Sequence, residues 1–221
     1  MNGLNQTLGD EMPMRRGVVF IALLASLATG AAQADSGRLA GMGANLFGNS
    51  YFHFGQPNLK AFPVGAVTLG KVRIDLQHTR LEQVQKVYGG TIYQEGSGMG
   101  VARWLCYQSP STTTWLMSNA LGGGEFIMMA AVQAGAAGGS CDSAPAKFPE
   151  LQAGIPGIGS TTAQLQAKFG SAPMGSHSDV SYRVDRPAKD GLGTASDAQY
   201  IGYMTRGGTV VGWGVGETTA Q

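Results

Sequence analysis

Charge is scarce in this sequence. Asp, Glu, Lys and Arg make up 13% of its 221 residues, about half the usual share, and nearly cancel to a net +1. A nucleic-acid binder needs a basic stripe, and none is present. Histidine is sparse too: His53, His78 and His177 show no metal spacing with one another or with cysteine, and each falls in a loop or helix entry, where exposed or capping roles are expected. No G-x-S-x-G elbow follows a strand pattern, which leaves no α/β-hydrolase nucleophile. Gly96-Ser97-Gly98-Met99-Gly100 sets a serine between glycines, but a strand rather than a helix comes after it. Gly41-Met42-Gly43 lacks the preceding strand that a dinucleotide fingerprint requires. Carboxylates are scattered, and only Glu125, after Gly122-Gly123-Gly124, is left unusually accessible. No catalytic, cofactor-binding or metal-ligating residue is assigned, and no cofactor is expected.

Cysteine is limited to Cys106 and Cys141. Both follow a leader in which Arg15-Arg16 precedes the apolar run Gly17 to Gly30 and the small-residue site Ala32-Gln33-Ala34. Those parts describe a secretory signal peptide within residues 1–34, with Met14 the candidate start and Asp35 the first mature residue. The run is shorter than the roughly 20 residues of a membrane span, so no span is expected after cleavage. No cysteine stands at the cleavage site, which excludes a lipid anchor of the bacterial lipoprotein kind. In an exported chain an even cysteine count reads as a Cys106–Cys141 disulfide, closing a loop of about 35 residues. A metal or redox pair would need a nearby histidine or a C-x-x-C spacing, and neither occurs. The expected location is periplasmic or secreted.

What the sequence has in abundance is glycine, 35 residues, which favours turns and close backbone approach over long helices. Residues 35–58 lack periodicity and read as a loosely ordered segment whose aromatics Tyr51-Phe52-His53-Phe54 dock onto the domain. From residue 59 the pattern sharpens. Thr79 and Glu82 suggest a capping box, Leu81, Val84 and Tyr88 share a helical face, and Gly89-Gly90 ends the helix. Strand-like runs follow at Val101–Tyr107, Thr112–Ser118 and Glu125–Val132. A second helix has Thr161 and Gln164 as its capping box, Leu165 and Phe169 on one face, and Gly170 then Pro173 as its stop. Three more runs come after it: Val180–Asp185, Gln199–Thr205 and Thr209–Val215. Aligning Gly89 with Gly170 pairs Tyr88 with Phe169 and Val84 with Leu165 at an offset of 81 residues. The expected fold is α+β: two tandem repeats, 59–133 and 148–221, each a short helical element packed on an antiparallel β-meander. A Gly/Ala/Ser-rich linker, 134–147, joins them.

In the last run Val211, Trp213 and Val215 share one face, while Gly212, Gly214 and Gly216 alternate onto the other. Glycines in such a row admit a close neighbour, either a packing helix or a partner segment. Trp104 with Cys106, and Trp115 with Met117, are similarly placed for core packing or for partner contact. Gly212, Gly214, Gly216, Trp104 and Trp115 are thus the candidate partner-binding surface.

The pattern G-x-T-x-x-Q-L-x-x-x-F-G, present from Gly159 through Thr161, Gln164, Leu165 and Phe169 to Gly170, resembles the helix signature of the BamE/SmpA-like superfamily of envelope proteins. Tandem copies of helices on a sheet are similar in plan to the β-lactamase inhibitory proteins. BamE has one copy and a lipid anchor, and the inhibitors carry a disulfide in each repeat, whereas the second half here has no cysteine. The resemblance implies a non-catalytic module that binds another envelope or extracellular protein by sheet surface and loops. The competing expectations are a hydrolase whose Ser and His meet only in the fold, and a structural envelope component without a discrete ligand. The oligomeric state is not legible.

Overall fold

The computed structural model describes residues 34–48, 56–176, 178–187 and 195–220. Residues 1–33 of the proposed leader, the Tyr51–Phe54 aromatics, His53 and His177 lie outside the described residues. In chain order the strands are β1 (Asp35–Ser36), β2 (Val67–Leu69), β3 (Val72–Ile74), β4 (Tyr93–Glu95), β5 (Ala102–Gln108), β6 (Thr112–Asn119) and β7 (Met129–Ala134). They continue with β8 (Asp142–Ser143), β9 (Leu151–Gln152), β10 (Met174–Gly175), β11 (Asp179–Pro187), β12 (Ser196–Arg206) and β13 (Thr209–Ala220). The helices are α1 (Gly41–Phe47), α2 (Leu81–Tyr88) and α3 (Thr162–Phe169).

The expected pair of repeats, each a helix on its own meander, does not form. The protein is mostly β: ten strands join one mixed sheet in the order β1-β4-β5-β6-β7-β13-β12-β11-β10, with β8 beside β5, and β3-β2-β9 form a second, small sheet. β1 runs parallel to β4 and β8 parallel to β5. The reason lies at the middle of the large sheet. An open edge strand leaves a row of N–H and C=O groups unpaired. Here β7 and β13 pair with each other from Met129 to Gln133 and from Gly212 to Gly216, so neither half keeps a free edge there.

Local signals set the two later helices. Thr161 Oγ1 accepts from Gln164 N, and Gln164 Oε1 accepts from Thr161 N at 2.8 Å, closing the capping box. Gly170 stops α3 in the left-handed conformation at φ 65°. In α2 the cap lies one residue beyond the expected Thr79: Gln83 Oε1 accepts from Arg80 N at 2.7 Å. Thr79 is engaged elsewhere, its hydroxyl accepting from Asp75 N and its carbonyl from Ile127 N.

One face of the large sheet meets α2, α3 and the small sheet. Leu81, Val84, Leu165, Val67, Leu69 and Ile74 there bury against Leu105, Leu116, Tyr182, Ile201 and Val215. The other face meets α1, from the segment expected to be loose, where Met42 and Leu46 are fully buried against Trp104, Trp115, Met117 and Met129. Gly43 lies flat on the Trp115 ring, where a Cβ would sit 3.0 Å from ring carbons. Gln133 Oε1 accepts from Met42 N at 2.9 Å.

The Cys106–Cys141 disulfide is formed and clasps this face. Cys141 adjoins Ser140, whose N donates to the Arg38 carbonyl and whose hydroxyl accepts from Arg38 N, while Trp104 Nε1 donates to the Ser140 carbonyl at 3.1 Å. One covalent bond thus fixes the loop that holds the N-terminal segment on the sheet.

Candidate functional site

At the β7–β13 junction one row of side chains crosses six strands. Tyr107 pairs with Thr114, Thr114 with Val132, Val132 with Trp213, Trp213 with Tyr203, and Tyr203 with Val180. All six belong to the face covered by α2, α3 and the small sheet. The covering elements do not close over the row's centre. A cavity of about 410 Å³ opens there, lined by Ser111, Thr112, Thr114, Val132, Glu150, Leu151, Gly157, Ile158 and Trp213.

The walls are pinned. Gly159 N donates to Val210 O at 2.9 Å and Val210 N donates to Ser160 O at 2.8 Å, so the loop carrying Gly157 and Ile158 is laced to β13 beside Trp213. Across the groove, Ser109 Oγ accepts from Thr112 N at 3.0 Å, fixing the β5–β6 turn. Phe148, whose ring centroid lies 4.6 Å from that of Tyr107, anchors the segment leading to Glu150. A second cavity of about 420 Å³ shares Ser111, Thr112 and Glu150 with the first and runs on past Pro145, Lys147 and Phe148, so the two form one trench.

Two polar groups at the floor lack partners. Trp213 is 3% exposed and Thr114 also 3%, yet neither the indole N–H nor the hydroxyl finds a hydrogen-bond partner among the described residues. Both atoms border the groove, where water reaches them. Gly157 contributes to this opening: a Cβ on it would lie 3.7 Å from Trp213 Nε1, and none is there. Glu150, at the mouth, is exposed and makes no ion pair among the described residues.

The sequence pointed to other residues. Trp104 and Trp115 are 0% and 1% exposed and lie beneath α1. Gly212, Gly214 and Gly216 are buried as well: Gly212 lies against β7 backbone, Gly214 against Leu46 of α1, and Gly216 under the Tyr200 ring. The glycine face therefore receives a helix and a ring in this structure. Trp213, on the face opposite these glycines, lies on the core face, but its N–H looks into the groove. Nothing in the strand pattern marks that, because the gap above it is made by a loop from elsewhere in the chain.

The remaining candidates for chemistry sit apart. His78 is exposed and its Nδ1 lies 3.0 Å from the Leu76 carbonyl, which makes that nitrogen the donor. The cavity it lines, about 510 Å³, holds Phe62, Val64, Gly65, Asp75, Leu76, Arg186 and Glu217, and no serine. Its charged groups are engaged with neighbours: Glu217 accepts from Gln77 and Gln199, and Arg186 stacks 3.6 Å from the Phe62 ring centroid. Glu125, expected to be accessible, pairs with Arg80 at 2.8 Å. Ser97 stands in an exposed turn beside Met99, 78% exposed. Among the described residues no group of three His, Cys, Asp or Glu could hold a metal, and no helix is long and apolar enough to cross a membrane.

No family model and no curated protein matches this chain. The resemblance to the BamE/SmpA-like superfamily therefore stands on its motif residues alone. A crystal structure of a proposed β-lactamase inhibitor protein from Streptococcus mutans is similar at 11% identity over 80% of this chain and 97% of that one, with a TM-score of 0.23. At that score the likeness carries no argument about this chain.

Proposed function

We propose that this chain is an exported, non-catalytic module that binds another protein of the envelope or extracellular space, and that the groove over Trp213 is its seat. One observation carries the reading: the indole N–H of Trp213, a side chain only 3% exposed, opens without a protein acceptor into a groove whose walls are already pinned. In the free protein water meets that donor, and a partner's acceptor can take the water's place. A preformed wall loses little conformational entropy on binding. Export is supported by the disulfide and by the leader composition. The 40% exposed Ile158 supplies apolar surface for a partner beside the Trp213 N–H.

The test is a photo-crosslinking amino acid placed at Ile158, with a control at Val87, which is 58% exposed on α2 outside the groove. In the producing cell the Ile158 probe should yield a discrete protein adduct that the Val87 probe does not. Equal adducts from both positions, or none from Ile158, would remove the groove from the account.

A further inference from the structure

Resting on the protein-binding reading, we infer that the groove takes an extended segment of the partner, which gives a backbone carbonyl to the Trp213 indole N–H and a lysine or arginine side chain to Glu150.

The chemistry of the lining fixes each part. Trp213 Nε1 can only donate, so the occupant must bring an acceptor to it. The Thr114 hydroxyl, on the same cross-strand row, can accept or donate, and it stands one strand beyond Val132 from Trp213. A carbonyl followed along the chain by an N–H matches that pair. Between them Val132 and Leu151 offer apolar contact for a small or aliphatic side chain.

Charge sets the next position. Glu150 is the sole charged residue in the lining of the first cavity and is shared with the second, where Lys147 is the other charged residue. The first part of the trench is therefore acidic, and it favours a cation beside the residue that reaches Trp213. Lys147 lies farther along and would suit an acidic residue later in the same segment.

Shape separates a chain segment from a compact solute. The two cavities, about 410 and 420 Å³, share Ser111, Thr112 and Glu150 and so form a trench rather than a single bowl. An extended chain advances about 3.3 Å per residue and fills such a form with alternate side chains. The trench is bounded by the turn at 109–112 and the loops at 144–150 and 157–160. Leu151 belongs to β9, an edge strand of the small sheet, so an extended segment can add backbone pairing there to its side-chain and carbonyl contacts.

Selection of displayed random heptapeptides on the full disulfide-bonded chain tests this directly. Enriched peptides should carry Lys or Arg beside a small or aliphatic residue. A synthetic peptide of the enriched sequence should bind Glu150→Gln about fivefold more weakly, as befits an exposed ion pair. It should bind Thr114→Val, which keeps the shape and removes the hydroxyl, about five- to tenfold more weakly. Enriched peptides without a basic residue, or affinities unchanged in both variants, would overturn the inference. So would failure to enrich any peptide while the Ile158 adduct persists, and in that case the protein-binding reading itself survives. Loss of both enrichment and adduct would overturn the two together.

Discussion

Gly157 stands over Trp213: a Cβ on this glycine would lie 3.7 Å from the indole Nε1, so the missing side chain is part of what leaves that N–H open to the groove. The glycine is not held in a left-handed conformation, and side chains are sterically allowed there. Gly157→Val should therefore cost little stability, within about 1 kcal/mol, while weakening binding of a groove-selected peptide at least about tenfold. Thermal melts and a titration check both halves of that statement. A tight-binding Gly157→Val protein would mean that the occupant does not reach the indole.

Reduction of Cys106–Cys141 should lower stability by about 4 kcal/mol in the chain-entropy model for a loop of this length. The loss should also have a local signature. The bond fixes the loop through which Ser140 holds Arg38 and Trp104, so reduction should red-shift tryptophan emission and speed amide exchange across 35–47. Free thiols in the native chain, or an unchanged melt, would contradict this.

Leu165 is fully buried and Phe169 is half-buried, its ring centroid 4.2 Å from that of Tyr182. Leu165→Ala should cost about 3 kcal/mol and Phe169→Ala about 2 kcal/mol, because the phenylalanine leaves a smaller void. Denaturant unfolding with unchanged slope would give both values. A larger loss at Phe169 would reverse the assignment of which residue points inward.

Burial pushes the Tyr182 hydroxyl up to about 12 and raises those of Tyr107, Tyr200 and Tyr203 as well. With the folded value above the unfolded one near 10, the unfolded chain gives up its protons first. The stability contributed by neutral burial is complete below about pH 10 and is lost as pH climbs toward and past 12. Absorbance of ionised tyrosine should rise late and together with unfolding. Early, independent titration of these rings in the folded protein would contradict their burial.

Much of the strand content was legible in the sequence because glycine-marked turns and period-two alternation are local signals. Thr112 and Thr209 begin strands where the pattern places them, and Gln164 caps α3 as read. The cysteine pair was legible from the even count behind a leader-like composition. The single large sheet was not, because the pairing of Ala130 with Val215 is non-local and alternation names a strand's faces, not its neighbour. α1 was obscured by composition: Gly41-Met42-Gly43-Ala44-Asn45-Leu46-Phe47 is a poor helix former, held by Met42 and Leu46 sinking against Trp104 and Trp115. The groove was hidden for a related reason. Trp213 reads as a core residue from its own strand, and only Glu150, Gly157 and Ile158, brought over it by other segments, leave it with an open N–H.

The most direct measurement follows the indole N–H resonances of the three tryptophans in ¹⁵N-labelled protein, alone and with a display-selected basic heptapeptide. Trp104, bonded to the Ser140 carbonyl, should exchange slowly and stay fixed. Trp213 should exchange faster in the free protein, then shift and become protected as peptide is added. A Trp213 signal that is already protected in the free protein, or that stays unmoved while the peptide binds, would contradict the account of this groove as the binding seat.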